Sequence, residues 1–334
     1  MSYSKLTKLS VHLPLLPPTS VGSFPKPEYL VKARGQFARG EITAADLKKF
    51  EERATAEWME FQESIGIDVP VDGEMYRGDM VAYFAETMDG FERGGLVRSY
   101  GNRYYHKPII IGKLHWRGPI TVAWWKFAQS FTSRPVKGML TGPYTIMDWS
   151  FIESYPDRAA ATMALAREIR KEVEALIAAG CKIIQIDEPA LSVRADELQL
   201  AIDAMDVVTR DLAAYFITHV CYGDFKAIYP KMLKIPVDNF DLEMSNSQFD
   251  LAPEFRKNRF TKDLSCGVLD VHSHRVETKK EVMDNIHQAM KLVPRERLWI
   301  DPDCGLKTRT VEETQDKLRV MVEATAEVRK KIGA

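Results

Sequence analysis

The chain has 334 residues, of which 28% are charged, and its formal net charge at pH 7 is −1. This balance gives no electrostatic reason to expect nucleic acid or an anionic membrane as a partner, so small neutral or zwitterionic substrates are more natural. The length fits one large α/β barrel better than two ordinary domains.

Four cysteines occur in the chain, at positions 181, 221, 266 and 304. A chain of this length does not need disulfide bonds to hold its fold, so the thiols indicate a reducing compartment in which they act as ligands or core residues. No positively charged, apolar-centred leader opens the sequence, and no apolar run approaches the roughly 20 residues that a bilayer span requires. We therefore expect a soluble, cytoplasmic protein.

The first part of the chain predicts an arm, a short strand, a helix and a second strand. Residues 1–16 lack clear periodicity, and we expect a loose N-terminal arm before one domain over residues 17–334. A short strand and turn follow at 19–25. Helical spacing over 41–66 predicts a helix that Gly66 ends. Residues 67–73 then predict a strand that delivers Glu74 into a loop, where a barrel places its chemistry.

Residues 94–119 are rich in glycine, tyrosine, arginine and β-branched residues, and they predict an inserted hairpin. Arg103 and Tyr104 lie within it and could bind an anionic or aromatic part of a substrate. A surface hairpin commonly carries both residue types without a role, so this pattern leaves their function open.

The rest of the chain alternates strands with helices. Predicted strands cover 136–142, 182–187, 214–219, 237–242, 264–270 and 297–301, and residues 222–224 predict a turn. Predicted helices cover 158–180 and 195–212, and Thr-x-x-Glu capping boxes at Thr278 and Thr310 begin two more. With the earlier elements, strand and helix alternate about eight times, which predicts a single (β/α)₈ TIM barrel.

Such barrels gather their functional groups where the strands end. Eight polar residues are predicted to share that rim: Ser23, Glu74, Asp187, His219, Cys221, Glu243, His272 and Cys304. Each is ordinary alone, and their common position is what indicates a site.

A metal site is predicted from four of these residues. His219 and Cys221 point to the same side of one strand, although a buried cysteine beside an unrelated histidine is the commoner arrangement. With Glu243 and Cys304 they supply one nitrogen, two thiolates and one carboxylate, which suits one tetrahedral zinc ion. Because the ligands come from three strands, we expect a reactive site in which Glu243 is the most exchangeable ligand.

Other motifs are absent from the sequence. We find no Walker-type phosphate loop, no Gly-x-Gly-x-x-Gly after a strand, no Gly-x-Ser-x-Gly elbow and no His-Glu-x-x-His helix. Nucleotide-binding folds, serine hydrolases and the common zinc proteases are therefore not indicated.

Seven segments of the chain resemble, in order, the cobalamin-independent methionine synthase family, specifically its catalytic C-terminal half. They are VGSFP at 21–25, DGEMYRGDMV at 72–81, KGMLTGP at 137–143, QIDEPAL at 185–191, HVCY at 219–222, GVLDVHS at 267–273 and DPDCGLKTR at 301–309. By this resemblance the chain is expected to be a single catalytic barrel of that type.

The resemblance also implies roles for individual residues. The zinc ligands would be His219, Cys221, Glu243 and Cys304. The homocysteine-binding residues would be Val21, Gly22, Ser23, Glu74 and Asp187. His272 falls on the proton donor, and the methyl-donor contacts would be Arg103, Tyr104 and Trp149.

The implied activity is methyl transfer to the thiol of L-homocysteine, which gives L-methionine. The donor would be a methyl-corrinoid, free or carried by a protein, or 5-methyltetrahydrofolate. The usual enzyme of the family has a second, N-terminal barrel that helps to hold the folate, and on that ground we slightly favour the corrinoid. Two alternatives remain open: a methyltransferase that acts on another small thiol, and a non-catalytic zinc-binding barrel.

Overall fold

The computed structural model describes residues 2–99, 103–221, 223 and 225–333, and it leaves out the side chains of residues 2–4, 99 and 103. Of the turn predicted at 222–224, Tyr222 and Asp224 therefore lie outside the described residues. No helix among the described residues is both long and apolar enough to span a membrane.

Helices and strands alternate along most of the chain. The α-helices are α1 Ser2–Lys8, α2 Glu28–Ala38, α3 Ala44–Ile65, α4 Ala82–Thr87, α5 Val122–Gln129, α6 Pro143–Asp148, α7 Arg158–Ala178, α8 Leu198–Thr209, α9 Phe225–Ile228, α10 Ala252–Lys257, α11 Lys279–Ala289 and α12 Val311–Lys331. The strands are β1 Met88–Ser99, β2 Arg103–Trp116, β3 Gly138–Thr141, β4 Phe151–Ile152, β5 Ile183–Asp187, β6 Tyr215–Val220, β7 Asn239–Leu242, β8 Asp263–Leu269 and β9 Leu298–Pro302. Short 3₁₀ helices lie at Pro189–Val193, Ala195–Glu197, Lys231–Lys234 and Arg295–Arg297.

Six strands form one parallel sheet in the order β3-β5-β6-β7-β8-β9. Every residue of these strands is buried. Parallel strands that are covered on both faces are read from the sequence as nearly continuous apolar runs, and this is why they were predictable. The fold is therefore α/β with a parallel sheet, and all six strands run towards the same end.

Two extended segments continue the sheet beyond its edges. The backbone N–H of Thr19 donates to the carbonyl of Ile300 at 2.9 Å, and that of Lys137 donates to the carbonyl of Pro70 at 2.9 Å. Thr19 and Val69 form a parallel bridge with each other. The strands predicted at 19–25 and 67–73 thus appear only as isolated bridges. Prolines at 17, 18 and 70 have no backbone N–H, which limits the hydrogen bonds available to these segments.

The predicted insertion forms two long antiparallel strands, β1 and β2, and β4 adds to β2. The first strand begins at Met88, earlier than the expected start at 94. Its register shifts beside Gly94, where an added Cβ would lie 2.2 Å from the Lys107 carbonyl oxygen. Only glycine permits this close approach of the two backbones.

Local sequence signals begin and end the helices as expected. Thr43 caps α3 through a capping box with Asp46, and Gly66 ends the same helix in the left-handed conformation. The capping boxes at Thr278 and Thr310 also form. These short-range hydrogen bonds satisfy the first amides of each helix, so they can be read from four adjacent residues.

The N-terminal arm is not loose, contrary to the sequence-based expectation. Residues 2–8 form α1, and Leu6 and Val11 are buried against Val69, Ile183 and Trp299. These contacts lie at the end of the sheet where the strands begin. The arm is ordered because it buries apolar side chains at that end of the sheet.

Leu6→Ala should lower the free energy of unfolding by about 2–5 kcal/mol, because Leu6 is 2% exposed and its removal leaves a cavity. Urea denaturation followed by circular dichroism measures this. Leu96→Ala is the matched control, since Leu96 is 62% exposed, and it should change stability little. Equal stability of Leu6→Ala and the unaltered protein would show that the arm contributes nothing.

Candidate metal centre and its surroundings

Three potential metal ligands converge where the strands of the sheet end. His219 lies in β6, Cys221 follows that strand, and Cys304 follows β9. Their ligand atoms all lie within 4.8 Å of one another, and the two sulfur atoms are 3.7 Å apart. Strand alternation places His219 and Cys221 on one side, and the parallel sheet brings Cys304 to the same end. One imidazole and two thiols form a donor set for a transition metal rather than for Ca²⁺ or Mg²⁺.

Asp241 supports the imidazole from behind. Its Oδ1 lies 3.2 Å from Nδ1 of His219, and both side chains are buried. Burial lowers the pKa of His219, but the charges of Asp241 and Cys304 outweigh it and raise that pKa well above its usual range. A carboxylate at this position orients a ligating imidazole. The sequence analysis missed Asp241, although alternation along β7 places it on the same side as Glu243.

The two thiols differ in acidity. Hydrogen bonding with Cys221, and then the contact with His219, hold the pKa of Cys304 well below its usual range despite burial. The pKa of Cys221 is raised, first by the same contact with Cys304 and then by burial. Cys304 is therefore the more readily ionised thiol of the pair, and the thiolate is the form that binds metal.

Glu243, the fourth predicted ligand, is not part of this group of three. Its Oε1 accepts a hydrogen bond from Nδ2 of Asn246 at 2.7 Å and lies 3.4 Å from Nε2 of His272. The contact with Glu243 raises the pKa of His272, and burial only partly opposes it. The structure thus brings three predicted ligands together. It places the fourth, the carboxylate of Glu243, beside the predicted proton donor His272.

Gln185 connects two of the residues that the resemblance assigns to homocysteine. Its Nε2 donates to the carbonyl oxygen of Val21 at 2.8 Å and to Oδ1 of Asp187 at 2.7 Å. Burial raises the pKa of Asp187 to about 7, although the charge of His219 opposes this. At Gly22, an added Cβ would lie 2.6 Å from Cε of Met139. A side chain at position 22 would therefore force the end of the Met139 side chain to move.

Glu74 is held in an unusual backbone conformation, with φ of 59°. Its N–H donates to Oδ1 of Asp72 at 2.9 Å, and Oε1 accepts from Nη1 of Arg77 at 3.0 Å. Arg77 also donates to the hydroxyl of Tyr76, whose own hydrogen goes to Asp72. This closed network fixes the Glu74 carboxylate. Asp72 and Arg77 belong to the segment at 72–81, but their support of Glu74 was not predicted.

Ser23 lies against the segment that follows Cys304. Its carbonyl accepts the N–H of Leu306 at 2.8 Å, and its Oγ would lie 2.1 Å from a Cβ at Gly305. The turn at 21–23 therefore borders the group of three ligands.

Of the predicted methyl-donor residues, the structure describes the side chains of Tyr104 and Trp149. Tyr104 is 64% exposed. Its neighbour Tyr105 points to the other face of β2, where its hydroxyl donates to the carbonyl of Trp149 at 3.4 Å. The side chain of Arg103 lies outside the description, and the donor contacts of these residues stay a prediction. Adjacent residues on a strand face opposite ways, and the sequence does not say which face meets the body.

The remaining cysteines, Cys181 and Cys266, are buried in the main hydrophobic core. Burial raises the pKa of both thiols. They are thus neutral packing residues rather than candidates for the metal centre.

Comparison with known proteins relates the whole chain to one group. A family profile described as "Cobalamin-independent synthase, Catalytic domain" matches residues 16–327. The 5-methyltetrahydropteroyltriglutamate–homocysteine methyltransferase of Acidithiobacillus ferrooxidans is 43% identical over 335 residues, covering 96% of this chain and 42% of that protein. The protein of the same name from Neisseria meningitidis is 41% identical, covering 97% of this chain and 44% of that protein. The chain thus spans less than half the length of these curated relatives.

Solved structures give the same grouping. A B12-independent methionine synthase from Shewanella, in complex with selenomethionine, superposes with a TM-score of 0.85 at 26% identity, covering 96% of this chain and 99% of that one. A methyltransferase from Methanosarcina mazei has a TM-score of 0.66 at 12% identity, which shows a shared fold alone. Because the profile matches nearly the whole chain and the relatives exceed 40% identity over it, the resemblance is confirmed: the chain belongs to the cobalamin-independent methionine synthase family and corresponds to its catalytic domain.

Proposed function

We propose that the protein is a zinc-dependent methionine synthase that transfers a methyl group from a 5-methyltetrahydropteroylglutamate to the thiol of L-homocysteine. The observation that carries the proposal is the convergence of His219, Cys221 and Cys304 within 4.8 Å at the end of the sheet. The names of the relatives support the acceptor and the donor.

The donor proposed here corrects the earlier expectation. The sequence analysis slightly favoured a methyl-corrinoid, but the matching profile is described as cobalamin-independent and the relatives are named for a methyltetrahydropteroyltriglutamate. The second barrel of the usual family enzyme is not a guide to the methyl donor. The groups around the reacting atoms determine which donor can react.

The metal would be held by His219, Cys221 and Cys304, with Glu243 as the fourth ligand and one zinc ion per chain. The donor set fits zinc, since two thiolates, an imidazole and a carboxylate suit its tetrahedral preference. When bound, zinc lowers the pKa of a thiol and so supplies homocysteine as a nucleophile at neutral pH.

The residues around this centre would hold the amino-acid part of the substrate. Glu74 and Asp187 provide two carboxylates for the ammonium group, and Arg77 keeps the first of them in position. The hydroxyl of Ser23 and the amides of the turn at 21–23 suit the carboxylate of homocysteine. Gly22 allows the substrate backbone to approach closely.

His272 would supply the proton that the reaction needs. A carbon–sulfur bond forms as the bond between the methyl carbon and N5 of the pterin breaks, and the leaving N5 must take a proton. Nε2 of His272 lies 3.4 Å from Glu243, whose negative charge favours the protonated imidazole. His272 is thus suited to act as the general acid.

We also infer that the sheet closes into a (β/α)₈ barrel. The six strands and the segments at 18–23 and 69–73 make eight, and the parallel bridge between Pro18 and Ile300 connects the first segment with β9. In this arrangement every proposed site residue lies at the C-terminal ends of the strands, the usual active-site end of such barrels.

The direct test supplies purified protein with homocysteine and 5-methyltetrahydropteroyl mono- or triglutamate, and measures methionine and zinc. Methionine formation that requires zinc supports the proposal. Zinc binding without methionine from either donor would favour the non-catalytic barrel. Methylation of a different thiol in a panel of small thiols, with homocysteine inert, would favour another acceptor.

Asp187 should make binding of the amino acid pH-dependent, because only its ionised form attracts an ammonium group. With the pKa of Asp187 raised to about 7, affinity should be greatest between that pH and the pKa of the ligand's own amino group, and it should fall about tenfold per pH unit as the pH drops below about 7. Calorimetric titration with L-methionine measures this affinity at each pH. Methionine is used because, unlike homocysteine, it has no thiol that ionises in the same range. Asp187→Asn should bind more weakly and lose this dependence, whereas an unchanged pH profile in that variant would exclude Asp187 as the cause.

A further inference from the structure

The carboxylate of Asp303 holds the loop that begins directly after Glu243. Its Oδ1 accepts the backbone N–H of Met244 at 2.9 Å and of Ser245 at 2.8 Å, and its Oδ2 accepts that of Asn246 at 2.6 Å. Asp303 is completely buried. Three amides converging on one buried carboxylate fix the path of this loop.

Asp303 reaches that loop across an intervening strand. It follows β9, the loop follows β7, and β8 lies between them in the sheet. The Asp303 side chain can cross β8 because the residue beside it is Gly267, where an added Cβ would lie 2.0 Å from Oδ1 of Asp303. Backbone pairing through β8 positions the two strands, and the Asp303 carboxylate adds a direct contact between the segments that follow them.

Both loops carry proposed metal ligands. Cys304 is the next residue after Asp303, and Glu243 immediately precedes Met244. Asn246, whose N–H Asp303 accepts, also donates through its side chain to Oε1 of Glu243 at 2.7 Å. A displacement of the Asp303 carboxylate would therefore move Cys304 and Glu243 relative to each other.

We propose that Asp303 is a positioning residue of the metal centre, which fixes the spacing between Cys304 and Glu243 by holding residues 244–246 across Gly267. This inference rests on the proposed function, which makes Cys304 and Glu243 metal ligands. Residues that orient ligands in this way typically contribute about 10- to 100-fold to metal affinity.

The test is the zinc dissociation constant, measured by competition with a chromophoric chelator. In Asp303→Asn an amide NH₂ replaces one accepting oxygen and faces a backbone N–H, so zinc should bind about 10- to 100-fold more weakly. Gly267→Ala should weaken binding in the same direction without changing any charge, because its Cβ would lie 2.0 Å from Oδ1 and 2.7 Å from Cα of Asp303 and so displaces that residue. Asn246→Ala, at an exposed position, should have a smaller effect of the same sign.

Asp263→Asn is the matched control. Asp263 is also a buried aspartate of this sheet, but it lies at the start of β8 and accepts the hydroxyl of Tyr215 at 2.6 Å. Its variant should keep the zinc affinity of the unaltered protein even where its thermal stability is lower. Circular dichroism of each metal-free variant establishes which of them are folded.

A second readout is the absorption spectrum of the cobalt-substituted protein, which reports thiolate ligation and coordination geometry directly. Altered bands in the folded Asp303→Asn or Gly267→Ala protein support the proposal, and unchanged zinc affinity and cobalt spectrum in every folded variant overturn it. Failure of the unaltered protein to bind zinc or cobalt would instead refute the proposed function.

Discussion

Cys304→Ser is expected to abolish both zinc retention and methionine formation. Cys304 is the more readily ionised thiol of the sulfur pair, its Sγ lies 3.7 Å from that of Cys221, and a serine hydroxyl at the same position is a far weaker zinc ligand. Zinc per chain after dialysis, measured by atomic emission, and methionine formed in a fixed time measure the two effects.

The matched control for this substitution is Cys266→Ala. Cys266 is a buried thiol in the middle of β8 of the same sheet, where it packs in the hydrophobic core. We expect this variant to retain zinc and activity while losing some stability. Full activity of Cys304→Ser with normal zinc content would show that the group of three ligands is not the reaction centre.

His272→Asn is expected to lower kcat by about 10²- to 10⁴-fold, the usual contribution of a general acid. Asparagine can still hydrogen-bond to Glu243 but cannot donate a proton to the leaving nitrogen. Zinc content and homocysteine affinity should stay near those of the unaltered protein, because His272 is not among the three converging ligands. Steady-state kinetics with the methyltetrahydropteroyl donor, together with calorimetry, separates these effects.

His274 offers a control two residues away. Its side chain is 73% exposed and its Nδ1 lies 2.8 Å from Oε1 of Glu313, in the first turn of α12. We expect His274→Asn to keep its kcat. If both histidine variants had the same kcat as the unaltered protein, the proton would have to come from another group or from water.

The expected outcomes for Cys304 and His272 differ in kind, and this difference is informative. Loss of zinc in the first variant removes the activation of the acceptor, whereas the second leaves acceptor binding intact and affects only the departure of the donor. A variant that loses methionine formation while keeping zinc and homocysteine binding therefore identifies a defect on the donor side.

Short-range patterns in the sequence predicted much of the fold. The buried parallel strands appear as apolar runs because both of their faces are covered, and β5 at Ile183–Asp187 is an example. The capping boxes at Thr278 and Thr310 involve residues three apart, so tertiary structure is not needed to form them. The arm before residue 17 was misjudged because its order comes from burial of Leu6 against distant strands.

The sequence by itself determined which residue types lie at the strand ends, since alternation and strand order put His219, Cys221 and Cys304 at one end of the sheet. Only the tertiary structure decided which groups position them. Asp303 holds the loop after Glu243 across Gly267, Asp241 lies behind His219, and Tyr105 rather than Tyr104 meets Trp149. The physical reason is that these contacts join residues far apart in the chain, or depend on which face of a strand is covered, and no local pattern encodes either.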